Sequence, residues 1–181
     1  RLGLTQNFIQ DQYAILSGYV VSMLVTPTFF CTIIYRLYLP IATDDLYYHK
    51  SNTFLHLLYA LLICFLIGLP FTLIFYFFPR RSLMILYNTT SGYQQLKYMS
   101  FPFLLFYLQT PLSTILQAKN KNKVMFIISM IECTLEIILT YTLSHYLYVN
   151  AILISLFTGL ITTLILSAIY CFKIIKDTSL S

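Results

Sequence analysis

The stretch FLHLLYALLICFLIGLPFTLIFYFF, residues 54–78, runs for 25 positions without one Asp, Glu, Lys or Arg. As a helix it would extend about 37 Å, more than the ~30 Å of a bilayer's hydrocarbon. A soluble helical core needs a polar face at helical period on most of its helices. This run is apolar all round, so the bilayer reading displaces the soluble one. The predicted fold class is all-α: a multipass transmembrane helix bundle.

The rest of the chain agrees. Of 181 residues, 59% are hydrophobic and 9% charged, where a soluble domain carries about 25% charged residues. Five runs are long enough to span, near 14–39, 52–78, 94–118, 124–148 and 150–172, within one transmembrane region covering 1–181. Pro40 and Pro79 are expected to stop the first two runs, and NTTSGY (88–93) reads as a polar turn before the third. Pro27, Pro70, Pro102 and Pro111 fall inside runs, where each removes a backbone hydrogen bond and should kink its helix. Thr26, Thr28, Thr110 and Ser113 flank two of them and offer hydroxyls to the freed carbonyls. The connection TDDLYYHKSNTFLHLL (43–58) reads either as a short amphipathic helix on the membrane surface or as an extension of the second span. The chain has no Trp, so belts at the headgroups fall to tyrosines, with Tyr35, Tyr38, Tyr47, Tyr48, Tyr146 and Tyr148 in suitable places. Arg1 and the polar, amphipathic RLGLTQNFIQDQY suggest an internal fragment of a longer protein, opened by neither signal peptide nor lipidation motif.

The net charge of +5 would point to nucleic acid in a soluble protein, but here the cations cluster between apolar runs and orient the chain. With five spans, one side holds seven cations: Arg36, Lys50, Lys119, Lys121, Lys123, Lys173 and Lys176. The other holds four: Arg1, Arg80, Arg81 and Lys97. The excess marks the cytoplasmic side. The first-to-second connection, KNKNK (119–123) and KIIKD (173–177) are therefore expected in the cytoplasm, with Arg80 and Arg81 standing against the rule.

No phosphate-cradling glycine loop, paired-cysteine metal site or nucleophile elbow is present, so neither an enzyme nor a cofactor or metal site is expected. Cys31, Cys64, Cys133 and Cys171 stand alone in apolar runs and read as small buried residues. His49, His56 and His145 read as interfacial polar residues. What remains is polar matter within the spans. Ser22, Thr26 and Thr32 share a broad face of the first run, with Arg36 four residues further on. They either line a hydrated substrate cavity, or the hydroxyls bond back to their own helix while Arg36 snorkels to the headgroups.

Glu132 and Glu136, in SMIECTLEIIL (129–139), are the sharper pair. An acidic residue near the centre of a spanning helix costs about 2.5–3.5 kcal/mol on insertion scales. Their four-residue spacing puts both on one face, where like charges repel. Three readings stand: a buried pairing with Lys or Arg outside this sequence, a substrate or proton pathway, or a crevice open to the cytoplasm.

The order of features also resembles a known family. YAILSGYVVSMLVTPTFFCTIIYRLYLPIA (13–42) is similar to a helix with a mid-helix proline in the stage V sporulation protein B-like polysaccharide flippases. IGLP (67–70), SLMILYN (82–88) and FPFLLFYLQTPLSTILQAKNK (101–121) follow in the same order. These proteins belong with the multidrug/oligosaccharidyl-lipid/polysaccharide exporters. The resemblance implies two six-helix lobes around a cavity that opens alternately to each side, this chain matching most of the second lobe. It further implies a flippase for a lipid-linked oligosaccharide or polysaccharide precursor in a bacterial cytoplasmic membrane. The partners would be membrane lipids, the lipid-linked glycan and the remaining lobe, with no nucleic acid. Two departures stand out: LQAKNKNK replaces a glycine-rich LQGLGK, and Glu136 stands near a position where the family often has Lys or Arg. Alternatives are a cation-coupled multidrug exporter of the same superfamily, a membrane-embedded glycan-modifying enzyme, or a structural membrane subunit that transports nothing.

Overall fold

The computed structural model describes the backbone of residues 6–48, 52–147 and 150–180, and the side chains of 10–48, 52–144 and 151–177. Arg1, His49, Lys50 and Tyr148 lie outside the described residues, as do the side chains of His145 and Tyr146.

The described chain is helical throughout, apart from short turns. Helix α1 joins Gln6–Ala14, a π-helical stretch Ile15–Val21 and Ser22–Val25. It is followed by α2 (Thr28–Tyr47), α3 (Thr53–Phe77), α4 (Pro79–Tyr87), α5 (Tyr93–Ala118), α6 (Asn122–Leu147) and α7 (Asn150–Leu180). Four of these, α3, α5, α6 and α7, are long and apolar enough to cross a membrane, and α1 with α2 makes a fifth if the pair is one span bent by 42°. The all-α multipass bundle expected from the sequence is the architecture found.

The bundle's surface is inverted relative to that of a soluble protein. Tyr59, Leu66, Phe126 and Ile137 are each more than half exposed, an apolar exterior that suits lipid rather than water. On α3 only Thr53, Leu57, Ala60, Cys64, Gly68, Thr72 and Phe75 turn inward, a stripe three or four residues apart. Helix α5 is the centre of the assembly and packs against α2, α3 and α7. Gly68 allows α3 to lie close to α5, because a β-carbon there would collide with the Tyr107 ring and stand 3.1 Å from Leu104.

The bundle's two ends are fixed by contacts between distant residues. The rings of Phe54 and Phe172 lie 6.1 Å apart, and the Tyr35 hydroxyl donates to the Gln117 side chain. The close of α2, α5 and α7 therefore sits with the start of α3 and α6. At the other end Gly92 takes φ +85°, and a β-carbon on it would stand 2.8 Å from Ile15 and 2.9 Å from Val20. Glycine is required there for both its conformation and its size.

Several boundaries differ from the sequence expectation. Pro40 does not stop the first run, since α2 continues through it to Tyr47. The missing N–H costs one bond to the Arg36 carbonyl, and a helix held by tertiary packing tolerates that loss. The break falls earlier, at Thr26–Pro27, between α1 and α2. There the Leu24 carbonyl, whose helical partner would be the Thr28 N–H beyond the break, accepts the Tyr107 hydroxyl at 2.8 Å. Thr26 and Thr28 donate to the Ser22 and Val25 carbonyls, at 2.9 Å and 2.6 Å. Pro70, Pro102 and Pro111 lie inside unbroken helices. Pro79 does follow the end of α3, and as the first residue of α4 it loses no bond.

The connection 43–58 is neither a separate surface helix nor wholly an extension of the second span. Residues 43–47 extend α2, and α3 begins at Thr53. Of the tyrosines assigned to the belt, Tyr47 and Tyr48 are exposed, while Tyr38 is buried in the core beside α5. The KNKNK turn closes α5 with two bonds, Lys121 N–H to the Leu116 carbonyl and Asn120 N–H to that of Gln117, both 2.8 Å. Asn120 adopts φ +59°, so asparagine fills the left-handed position that glycine usually takes after a helix.

Candidate functional site

Glu132 and Glu136 lie on the face of α6 that meets α7, and the two helices run antiparallel in a regular register. The Thr140 and Ser155 hydroxyls are 2.7 Å apart. One turn along, Glu136 lies over Gly159, where a β-carbon would stand 2.6 Å from Oε1 and 3.0 Å from Cγ. One turn further, the Thr163 hydroxyl faces the Glu132 carboxylate, although no hydrogen bond of good geometry reaches its buried oxygen. Each step of four back along α6 is thus matched by a step of four forward along α7.

The local sequence explains why the helices approach so closely. Ala151, Ser155, Gly159, Thr163, Ser167 and Cys171 recur every four residues on α7, and all are buried. Small side chains at that spacing let backbones approach in a membrane, where no hydrophobic drive brings helices together. The stripe turns gradually around the helix, since four residues exceed one turn. Its first part faces α6, and its last member, Cys171, donates to the Leu112 carbonyl of α5 at 3.1 Å. Ser155 also donates to the Ile152 carbonyl at 2.9 Å.

This seam opens into a groove of 540 Å³ lined by Tyr13, Glu136, Thr140, Tyr141, Ser144, Ser155 and three aliphatic residues. Both glutamates are half-buried. Among the described residues no Lys or Arg forms an ion pair with either one. Glu136 can therefore meet a visiting group directly. A carboxylate flanked by hydroxyls offers acceptors to the O–H groups of a sugar or to a cation, and the Tyr13 and Tyr141 rings supply flat apolar faces beside them.

The first-run residues are arranged otherwise. Ser22 donates to the Ser17 carbonyl at 3.2 Å, Thr26 to that of Ser22 at 2.9 Å and Thr32 to that of Phe29 at 2.7 Å. All three are exposed, as is Arg36. The break at Pro27 places Ser22 and Thr26 on one side of the 42° bend and Thr32 and Arg36 on the other. Glu132 and Glu136 are the pair brought to a common site. Thr140, Ser155, Gly159 and Thr163 complete it and were not anticipated. Their signal was present in the sequence, as four-residue spacing continued past Glu136 on α6 and repeated in small residues on α7.

A contact outside the seam ties two helix ends together. His56 Nδ1 pairs with the buried Asp45 carboxylate, joining α3 to α2.

No protein-family model, curated protein or solved structure matches the chain.

Proposed function

We propose that this chain is part of a transporter that moves a lipid-linked oligosaccharide or polysaccharide precursor across the bacterial cytoplasmic membrane by alternating access. The observation that carries the reading is Glu136, a carboxylate without a cationic partner among the described residues, opening with Thr140 and Ser155 onto a groove between spanning helices. A polar headgroup crosses hydrocarbon only if its hydrogen bonds are replaced on the way. The seam offers such replacements: acceptors at Glu136, hydroxyls at Thr140, Ser144 and Ser155, and tyrosine rings against which a sugar face can lie. The bend at Pro27, braced by Tyr107, supplies a joint in the first span, as alternating access requires of broken helices. The resemblance of the motif order to that of polysaccharide flippases supports the same reading.

The unpaired carboxylate also favours a second reading, export of an amphipathic cation coupled to protons or sodium. The two separate by cargo. With the full-length protein in vesicles, movement of a labelled lipid-linked sugar is expected, strongly reduced by Glu136→Gln and weakened by Arg36→Ala. Absence of sugar movement, with ion-gradient-driven efflux of a fluorescent cation instead, establishes the exporter. Absence of both overturns transport.

A further inference from the structure

We propose that Arg80, Arg81 and Lys97 form a phosphate-binding groove that holds the anionic headgroup of a membrane lipid, at the end of the bundle opposite the KNKNK turn. These are the described cations that run against the positive-inside pattern, and the fold gathers them. Arg80 and Arg81 lie in the first turn of α4, Lys97 in the first turns of α5, and together with Tyr76, Phe77, Phe78, Pro79 and Tyr93 they line one groove of 340 Å³.

Each cation is held against an aromatic ring. The Arg80 guanidinium lies 4.2 Å from the centre of the Tyr93 ring, that of Arg81 5.8 Å from Phe78, and the Lys97 ammonium 5.1 Å from Tyr76. The Arg80 guanidinium also reaches the Tyr93 hydroxyl, and the guanidinium N–H groups not used against the rings are the ones that match a phosphate. All three cations are exposed, and among the described residues none is paired with a carboxylate. Three like charges brought together without a counter-anion call for one.

The surroundings favour a lipid as its source. Helix α4 exposes Met84, Ile85 and Leu86 while burying Ser82 and Leu83. A short helix with cations at one end and an exposed apolar face lies in the headgroup layer. That places the groove at the depth of lipid phosphates. The inference holds whether or not the chain transports a glycan.

These 181 residues contain no Trp, so Phe77→Trp adds one reporter at the rim, read as the difference between the proteins with and without it. The whole protein carrying this substitution is placed in phosphatidylcholine vesicles containing either brominated phosphatidylglycerol or additional brominated phosphatidylcholine, and bromine quenching is read. About a five-fold preference per cation near the surface, or on the order of 100-fold for three, is expected for the anionic lipid. It should fall stepwise with Arg80→Gln, Arg81→Gln and Lys97→Gln, and remain with Lys121→Gln, which removes the same charge at the opposite end. Helicity by circular dichroism checks that each variant folds. Quenching unaffected by inorganic pyrophosphate assigns the site to the lipid. Displacement of the lipid by pyrophosphate keeps the phosphate site but makes its source soluble. Equal quenching by both lipids, or equal loss with Lys121→Gln, overturns the proposal.

Discussion

Glu136 lies across Gly159 on the facing helix, so closely that a methyl group added to the glycine would stand 2.6 Å from Oε1, 3.0 Å from Cγ and 3.2 Å from Cδ. The carboxylate occupies the space a side chain would otherwise take, and the α6–α7 contact depends on that exchange. Alanine in a helix is favoured over glycine by about 1 kcal/mol, whereas crowding a packed site costs about 1–3 kcal/mol. Gly159→Ala should therefore destabilise the natural chain by roughly 1 kcal/mol, yet stabilise a Glu136→Ala chain by up to about 1 kcal/mol. Thermal unfolding of the four chains in detergent checks this, and effects of the same sign in both backgrounds would refute the contact.

The Tyr107 hydroxyl closes the break between α1 and α2 by donating to the Leu24 carbonyl at 2.8 Å. Tyr107 is fully buried, with its ring against Gly68. Tyr107→Phe keeps the ring and leaves that carbonyl without this donor, so a loss of about 1–3 kcal/mol is expected. For a chain of this size each kcal/mol corresponds to about 2–4 °C in Tm. Hydrogen exchange should also rise around residues 22–30, on both sides of the break. A stable Tyr107→Phe protein with unchanged exchange would show that the bend needs no brace.

The apolar runs were legible because hydrocarbon imposes its length on any helix that crosses it, and 54–78 had no other solution. Helix ends were less legible because proline has opposite effects by position. Pro79 stands where a helix begins and loses nothing, Pro40 lies inside α2, and Pro27 coincides with a break that Tyr107 stabilises from 80 residues away in sequence. The glutamates announced themselves by their cost. Their neighbours Ser155, Gly159 and Thr163 did not, because small residues carry no charge and take on meaning only when a second helix supplies the register. Ser22, Thr26 and Thr32 show the reverse: hydroxyls on one expected face bond to their own backbone instead, an option always within reach of serine and threonine in a helix.

Asp45 and His56 join α2 to α3 across the short connection between them. Asp45 is 2% exposed, whereas His56 is partly exposed. A hydrogen bond to a charged group contributes about 1.5–3 kcal/mol. His56→Phe is expected to cost that much, and Asp45→Ala more, because Asp45 makes further contacts of its own. Residues in direct contact couple by about 0.5–3 kcal/mol in double-mutant cycles. A cycle through Asp45→Asn and His56→Gln should return a coupling in that range, and additivity within error would mean the pair contributes nothing to stability.

The strongest topological expectation concerns the two ends of α5. Its 26 residues extend about 39 Å at 1.5 Å per residue, enough to cross the bilayer and place Ser91 and Lys121 on opposite sides. Both are exposed in turns, so a cysteine at either position should meet reagent without disturbing the fold. In a chain whose four cysteines are replaced by serine or alanine, Ser91→Cys should react with an impermeant maleimide on intact cells. Lys121→Cys should react only after the membrane is opened, because cations concentrate at that end. The reverse pattern would invert the chain and carry the Arg80, Arg81 and Lys97 groove to the cytoplasmic face. Labelling of both from one side would mean that α5 does not cross, and the bundle built around it could not be a transmembrane one.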